Sequence, residues 1–304
     1  MILFLSCNLN IGAAIKTLIT KYTMSDRRGF IKGSMAGMLL AGLSPSVSAL
    51  AAVHQQHMDK ADRKLKLRFA IASDGHYGQP GTAYKKDHEN MVGWLNEAHA
   101  KMPLNFVVIN GDLVHDRPEL LAVVKKEHYD QLHVPFYAVP GNHDHADAAI
   151  WKSVFGYADN FSIQKNEVGL VFANTSDTKG KYLCPDNSFL KQELEKFKGL
   201  KTVFVVLHIP PHFWVPESPF VDCPDTIKLL HSYPNVKAVF HGHDHSLDAV
   251  FYTNKLPHFF DAHIGGNWGT AYRGYRIVEV DEDDKVTTYQ VNASGTPLLN
   301  ETKF

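Results

Sequence analysis

An α/β fold is the class this sequence predicts, on two observations. Five short apolar runs are rich in Val, Ile and Phe, and the stretches between them place apolar residues three and four positions apart. The runs are Leu67 to Ala72, Phe106 to Ile109, Phe136 to Val139, Val203 to Leu207 and Val236 to Phe240, each with the length and β-branched content of a buried strand. The stretches DHENMVGWLNEAHAKM, PELLAVVKKEHYDQL and NSFLKQELEKFKGL gather their apolar residues on one helical face. Pro118 and Asn187 suit helix starts, where Pro forfeits no hydrogen bond and an Asn side chain can accept one from the first turn. From Ser246 onward the pattern shifts to short β-like runs, AVFYT, HFFDA, YRIVEV and VTTYQV, separated by turn residues.

The 304 residues include 31 Lys+Arg and 32 Asp+Glu, a formal net charge of −1. That balance supplies no basic field, so no nucleic-acid partner is expected. With 44% hydrophobic and 21% charged residues the chain is globular in composition rather than disordered or fibrous. Its 3 cysteines lack CxxC spacing and are too few for a disulfide framework. The unusual count is 18 histidines, which matters if they cluster at metal-binding spacings.

Residues 24–51, MSDRRGFIKGSMAGMLLAGLSPSVSALA, hold paired Arg27 and Arg28, an apolar run from Gly33 to Leu43, and Ala49-Leu50-Ala51 as a small-residue cleavage site. This is the pattern of a secretory signal. The run is well short of the roughly 18 apolar residues a bilayer span needs, so no stable membrane span is expected after processing. Arg27 and Arg28 followed by Phe30, Ile31 and Lys32 resemble a twin-arginine signal, although Asp26 departs from that pattern. The twin-arginine export machinery is then an expected partner, and a periplasmic or otherwise exported location follows. Translation is expected to begin at Met24, and a precursor mass that included Cys7 would refute this. The chain thus divides into an N-terminal extension with signal peptide (1–51), a tether (52–64) and one domain (65–304). Cys184 and Cys223 remain after processing and are expected as unpaired thiols, because a twin-arginine substrate folds before it meets an oxidising compartment.

Immediately after the five apolar runs stand residues able to bind metal: Asp74 and His76, Asp112, Asn142 with His143 and Asp144, His208, and His243 with His245. In open α/β sheets ligands gather outside the carboxyl ends of strands, so these five termini can share one pocket. Carboxylate, amide oxygen and imidazole together suit Fe, Mn, Zn or Co better than Ca or Mg, which prefer oxygen shells. One structural zinc would need four ligands, and seven candidates are present even without His143 and Asp144, so two metals are expected. A lone Asp after a strand is often a turn former and a lone His often a surface residue; five such blocks in order outweigh that reading. His54, His57, His88, His99, His128, His133 and His231 fit solvated faces or helices.

In this order, Asp-x-His, Gly-Asp, Gly-Asn-His-Asp, a lone His and Gly-His-x-His resemble the calcineurin-like metallophosphoesterases over roughly residues 67 to 245. The resemblance implies a four-layer α/β/β/α sandwich, with the runs after Ser246 in its second sheet. It implies hydrolysis of small phosphate esters by a hydroxide bridging two metals. One metal would take Asp74, His76, Asp112 and His245, and the other Asn142, His208 and His243, with Asp112 shared. His143 would stabilise the transition state or protonate the leaving oxygen, oriented by Asp144. His212 and His241 are candidates for groups that fix ligand orientation.

His115 stands where purple acid phosphatases carry a metal-binding tyrosine, which argues against tyrosinate-to-iron chemistry. The stretch GDLVHDRPELLAVVKKEHYDQLHVPFYAVPGNHD is more similar to bacterial phosphodiesterases that include the class III cyclic nucleotide enzymes. Trp268 and Tyr272 are candidates for an aromatic wall beside a nucleoside or other apolar leaving group, or for a core or turn role. The expected function is an exported, dinuclear phosphoesterase acting on small phosphomonoesters or phosphodiesters. A nuclease of the same fold and a non-catalytic metal-binding scaffold are the alternatives, the first disfavoured by charge and the second by the complete ligand set.

Overall fold

The computed structural model describes residues 64–295 and 298–303. The signal-like segment and all of the tether before Lys64 lie outside the described residues. All five apolar runs are strands: β1 (Leu65–Ala72), β2 (Phe106–Asn110), β3 (Phe136–Val139), β6 (Thr202–Leu207) and β7 (Val236–His241). Two strands that the sequence reading did not mark, β4 (Phe161–Lys165) and β5 (Val168–Ala173), precede β6. Helices α1 (Tyr84–Lys101), α2 (Leu121–Glu127), α3 (Ala148–Phe155), α4 (Asn187–Lys196) and α5 (Pro224–His231) lie between strands, and β8 (Val250–Thr253), β9 (Leu256–Phe260), β10 (Gly274–Asp281), β11 (Val286–Asn292) and β12 (Leu298–Lys303) follow. Helix α4 starts at Asn187 as expected, but its cap is Asp186, whose carboxylate accepts from the Ser188 and Phe189 amides.

The first sheet has the order β12-β11-β10-β1-β2-β3 and the second β4-β5-β6-β7-β9-β8. Strands β1, β2 and β3 run parallel, as do β5, β6, β7 and β9. One expectation is corrected here: of the runs after Ser246, β8 and β9 alone join the second sheet. Strand β10 pairs antiparallel with β1 and brings β11 and β12 into the first. All eight β10 residues are buried, so it needs cover on both faces. Beside β1 it has that cover, with Val278 and Val280 toward the other sheet and Tyr275 and Ile277 toward the helices.

The same alternation organises the core. On β1, Leu67, Phe69 and Ile71 point between the sheets while Ala70 and Ala72 meet the helical layer. Phe69 stacks on Phe106 at 4.9 Å and approaches Phe204 and Phe240 of the second sheet at 5.8 and 6.4 Å. On the far side Leu190 and Leu194 of α4 cover Val203, Val205 and Leu207. The layers run helices, sheet, sheet, helices, which is the expected sandwich. Among the described residues no helix is long and apolar enough to cross a membrane.

His88 lies in α1 and His128 caps α2, within the expectation of solvated faces or helices, but both are buried. His88 lies under the first metal-binding loop, where a Cβ on Gly75 would come within 2.6 Å of its Nε2, and its Nδ1 donates to the Tyr84 carbonyl at 2.7 Å. One further expectation fails for reasons of packing. Cys184 and Cys223 are bonded, with S–S 2.04 Å, rather than free. The starts of α4 and α5 meet through the Thr226 hydroxyl and Asn187 at 2.9 Å, which brings the two cysteines together.

The parallel strands of both sheets turn their carboxyl ends to one rim. There the His208 ring donates through Nδ1 to the Asn110 carbonyl at 2.7 Å, tying the end of β6 to the end of β2.

Candidate metal centre

Each strand end breaks sharply into its loop. Asp74, His76, Asp112 and His243 adopt left-handed φ values of 59°, 46°, 51° and 72°, a conformation uncommon outside glycine and concentrated at functional sites. Glycine is required beside them for clearance. A Cβ on Gly111 would lie 2.2 Å from His208 Nδ1, and one on Gly141 would lie 2.3 Å from the Asp112 amide nitrogen. The glycines in the Gly-Asp and Gly-Asn-His blocks therefore let two loops from one sheet close onto a third from the other.

Two buried triads result, Asp74 with His76 and His245, and Asp112 with His208 and His243, each with its ligand atoms within 4.8 Å of one another. Asp112 Oδ2 lies between them, 3.2 Å from His208 Nε2 and 3.6 Å from His76 Nε2. Asp74 Oδ1 is 3.2 Å from His245 Nε2, and His76 Nε2 faces His245 Nε2 at 3.0 Å. His208 Nε2, both ring nitrogens of His243, His245 Nδ1 and Asn142 Oδ1 are buried without a hydrogen-bond partner. Buried polar atoms are rarely left so, and this many converging on one rim fit cations. The hydrogen bond from His208 Nδ1 also fixes its tautomer, leaving the Nε2 lone pair toward the centre.

The electrostatics agree with that fit. Burial alone would raise the Asp112 carboxyl, but the His208 and His76 rings outweigh it and hold it well below the usual carboxylate range. Burial would lower His208, yet the Asp112 charge beside it pushes it up to about 9. His76 and His243 follow their burial, down to about 3 and about 4.

His143 lies at the half-open edge, 5.0 Å from the His76 ring. Its expected partner is corrected: Asp144 turns inward, accepting from the Gly141 amide at 2.7 Å and the Val114 amide at 2.9 Å, and so braces the β2 and β3 loops. Burial first and the Asp112 charge second push Asp144 up to about 7. The carboxylate on His143 is Asp116, with Nδ1 to Oδ1 at 2.6 Å. The sequence reading missed Asp116, which lies four residues beyond Asp112 in a left-handed turn whose amide donates to the His143 carbonyl at 2.9 Å. His115 meets His76 Nδ1 with its own Nδ1 at 3.0 Å and positions that ring, and with His76 and His143 it forms a third, half-buried group of imidazoles whose ligand atoms lie within 4.8 Å of one another.

Of the two proposed orienting histidines, His241 contacts the Leu207 carbonyl beside His208 at 3.1 Å, whereas His212 packs edge-on against Trp214. His263, also missed, stacks on His245 at 4.6 Å. Trp268 lies at the centre, but the Tyr272 hydroxyl is bonded to Asp248, away from the triads.

A family model described as calcineurin-like phosphoesterase matches residues 67–247. No curated protein matches the chain. Among solved structures, a dimetal phosphatase from Danio rerio superposes at a TM-score of 0.65 with 12% identity, over 79% of this chain and 99% of that one. The purple acid phosphatase PPD1 of yellow lupin (Lupinus luteus) seeds reaches 0.58 at 12% identity over 78% of this chain, which spans about half of it (53%). GAP50, the anchor in the inner membrane complex of Plasmodium, reaches 0.56 at 16% identity, over 79% of this chain and 89% of that one. At such identities the likeness is one of fold.

Proposed function

This chain belongs to the calcineurin-like phosphoesterase family and is a metal-dependent phosphoesterase, and on that premise we propose that it hydrolyses small phosphomonoesters or phosphodiesters outside the cytoplasm. The observation that carries the reading is the pair of buried triads that meet at Asp112 Oδ2, with their orphaned ring nitrogens. Asp74, His76 and His245 would hold one ion, and Asp112, His208, His243 and the Asn142 amide oxygen the other. Two such ions supply a nucleophile at neutral pH and neutralise charge on the phosphoryl oxygens.

The chain's own contribution to proton transfer lies in His143. Asp116 accepts from its Nδ1 and fixes the orientation of the ring, so Nε2 is the atom that would deliver a proton to the leaving oxygen. His115 and the Asn110 carbonyl fix the rings of His76 and His208, so the site is formed before substrate arrives. The near-neutral charge favours small esters, cyclic nucleotides included, over nucleic-acid polymers.

Chelation of the purified protein is expected to abolish hydrolysis of p-nitrophenyl phosphate and its bis-ester, and Fe, Mn, Zn or Co to restore it. Activity that survives chelation, or none on any ester after reloading, would refute the reading. Export is supported by Arg27, Arg28 and the cleavage-site pattern; the Cys184–Cys223 bond suits an oxidising compartment and, on a twin-arginine route, would close after the folded chain has crossed. Arg27→Lys with Arg28→Lys should strand the precursor in the cytoplasm, and undiminished export would remove that part of the proposal.

A further inference from the structure

We propose that Trp268 is a stacking platform for a planar leaving group, so that the enzyme favours phosphate esters of aryl or nucleoside-type alcohols over alkyl esters. The inference rests on the phosphoesterase reading and adds its substrate class.

The indole lies on the first triad. Its ring is 4.2 Å from His245 and only 9° from parallel, and it is 4.9 Å from His76. His263 stacks on the same imidazole at 4.6 Å and 28°. Two near-parallel rings on one imidazole must take opposite faces, so His245 is sandwiched and Trp268 turns its second face outward. Trp268 is 41% exposed, whereas Trp151 of α3 is fully buried.

The exposure does not come from a loose loop. The Gly265 amide donates to the Asp74 carbonyl at 2.9 Å and the Thr270 amide to the His245 carbonyl at 2.8 Å. The Arg273 guanidinium donates to the Gly266 carbonyl at 2.9 Å. Gly269, at φ 103°, lies so close that a Cβ there would be 2.3 Å from His245 Cβ. The backbone on either side of Trp268 is thus pinned to the two loops that carry the triad. A large apolar face is held rigidly open at the mouth of a polar centre.

Across the centre Tyr182 meets His243 edge-on at 4.8 Å, so each triad has an aromatic flank. An ester whose phosphoryl group reaches the triads places its leaving group at this mouth. A planar leaving group gains face-to-face contact with the indole there, and an alkyl group does not.

The test compares Trp268→Ala and Trp268→Phe with the parent, all loaded with the same ion and assayed for ion content. For phenyl phosphate, Trp268→Ala should lower kcat/KM about tenfold, chiefly through KM. Ethyl phosphate should change less than twofold, and Trp268→Phe should recover most of the loss. Because each ester is compared with its own parent value, intrinsic leaving-group reactivity cancels. Calorimetry with unreactive phenylphosphonate and methylphosphonate should show the same selective loss. Equal losses on both esters, or loss of bound ion, would make the indole a cover for His245 and overturn the proposal, as would unchanged constants for both. If the parent hydrolysed neither ester, the phosphoesterase reading would fail, while the phosphonate titration would still decide whether Trp268 selects planar groups.

Discussion

Midway along their length, the strands facing each other between the two sheets present Phe69, Phe106, Val108, Phe204, Val206 and Phe240, all fully buried and wholly apolar. At the carboxyl ends of the same strands, the space is filled by Asp74, Asp112, His208, His243 and His245, equally dry but with several ring nitrogens lacking partners. Burial is the same in the two regions and its consequence is opposite. Apolar burial stabilises the fold, at about 25 cal/mol per Å² removed from water, whereas unpaired polar burial opposes it by about 1–3 kcal/mol for each group. The difference teaches that the interior supplies the stability which the rim spends on holding ligands ready.

The largest contrast should come from exchanging damage between the regions. Asp112→Asn is expected to lower turnover by on the order of 10³-fold or more and to weaken metal retention, while the ion-free protein loses less stability than a truncation in the apolar interior costs. Phe69→Ala should do the reverse, costing about 3–5 kcal/mol of stability while the folded fraction keeps both ions. Metal analysis with thermal unfolding separates them. Two tightly held ions in folded Asp112→Asn, or a large stability loss in the ion-free form, would break the comparison.

A smaller effect is expected at the edge of the polar region. His143→Ala should keep both ions and lose about 10²- to 10⁴-fold in turnover, with alkyl esters suffering more than p-nitrophenyl esters, whose leaving group needs little protonation. Asp116→Asn should show a weaker form of the same leaving-group dependence, and Asp144→Asn should lack it, because Asp144 braces backbone amides instead. Loss of ions from folded His143→Ala would make that residue a ligand.

A pH-dependent effect, absent at neutral pH, sharpens the boundary between the regions, where His88 lies beneath Gly75. Burial pushes its pKa down to about 3 from 6.5. Below pH 6.5 the unfolded chain takes up a proton that the folded chain refuses until about pH 3. Stability should therefore fall as pH drops through that window, by up to about 1.4 kcal/mol per pH unit from this residue. His88→Gln should flatten the slope in chemical denaturation measured across the window, and an unchanged slope would show that His88 contributes none of it.

The interior and the ligands were legible in the sequence for different reasons. Runs such as Leu67 to Ala72 announce themselves because β-branched and aromatic residues have few other uses in so short a span. The ligands announce themselves because Gly, Asp and His recur just past such runs. What stayed hidden depends on contacts between remote segments. Asp116 sits in plain view four residues after Asp112, but only the approach of the β2 and β3 loops makes it, rather than the adjacent Asp144, the partner of His143. The placement of β10 beside β1 is likewise a property of pairing, since an antiparallel run carries no mark of which sheet it will join. His263 comes to His245 from a loop in which the sequence marked Trp268 alone of the two, because an imidazole among turn residues carries no sign of which ring it will stack on.

The bond between Cys184 and Cys223 closes a ring of chain with a sequence separation of 39 that contains the whole of β6 and His208. Expression in a reducing and in an oxidising cell compartment therefore yields two chemically different species with one sequence, and the ring is the part that differs. Ring closure restricts the unfolded chain by roughly 3–4 kcal/mol in the loop-entropy view. An ion content measured on protein kept in thiol reductant would describe the open-ring species, in which β6 and the His208 that follows it are held by sheet pairing and packing without the covalent link. Batches handled differently would then disagree in metal occupancy without any difference in purity, and a count of free thiols would sort them.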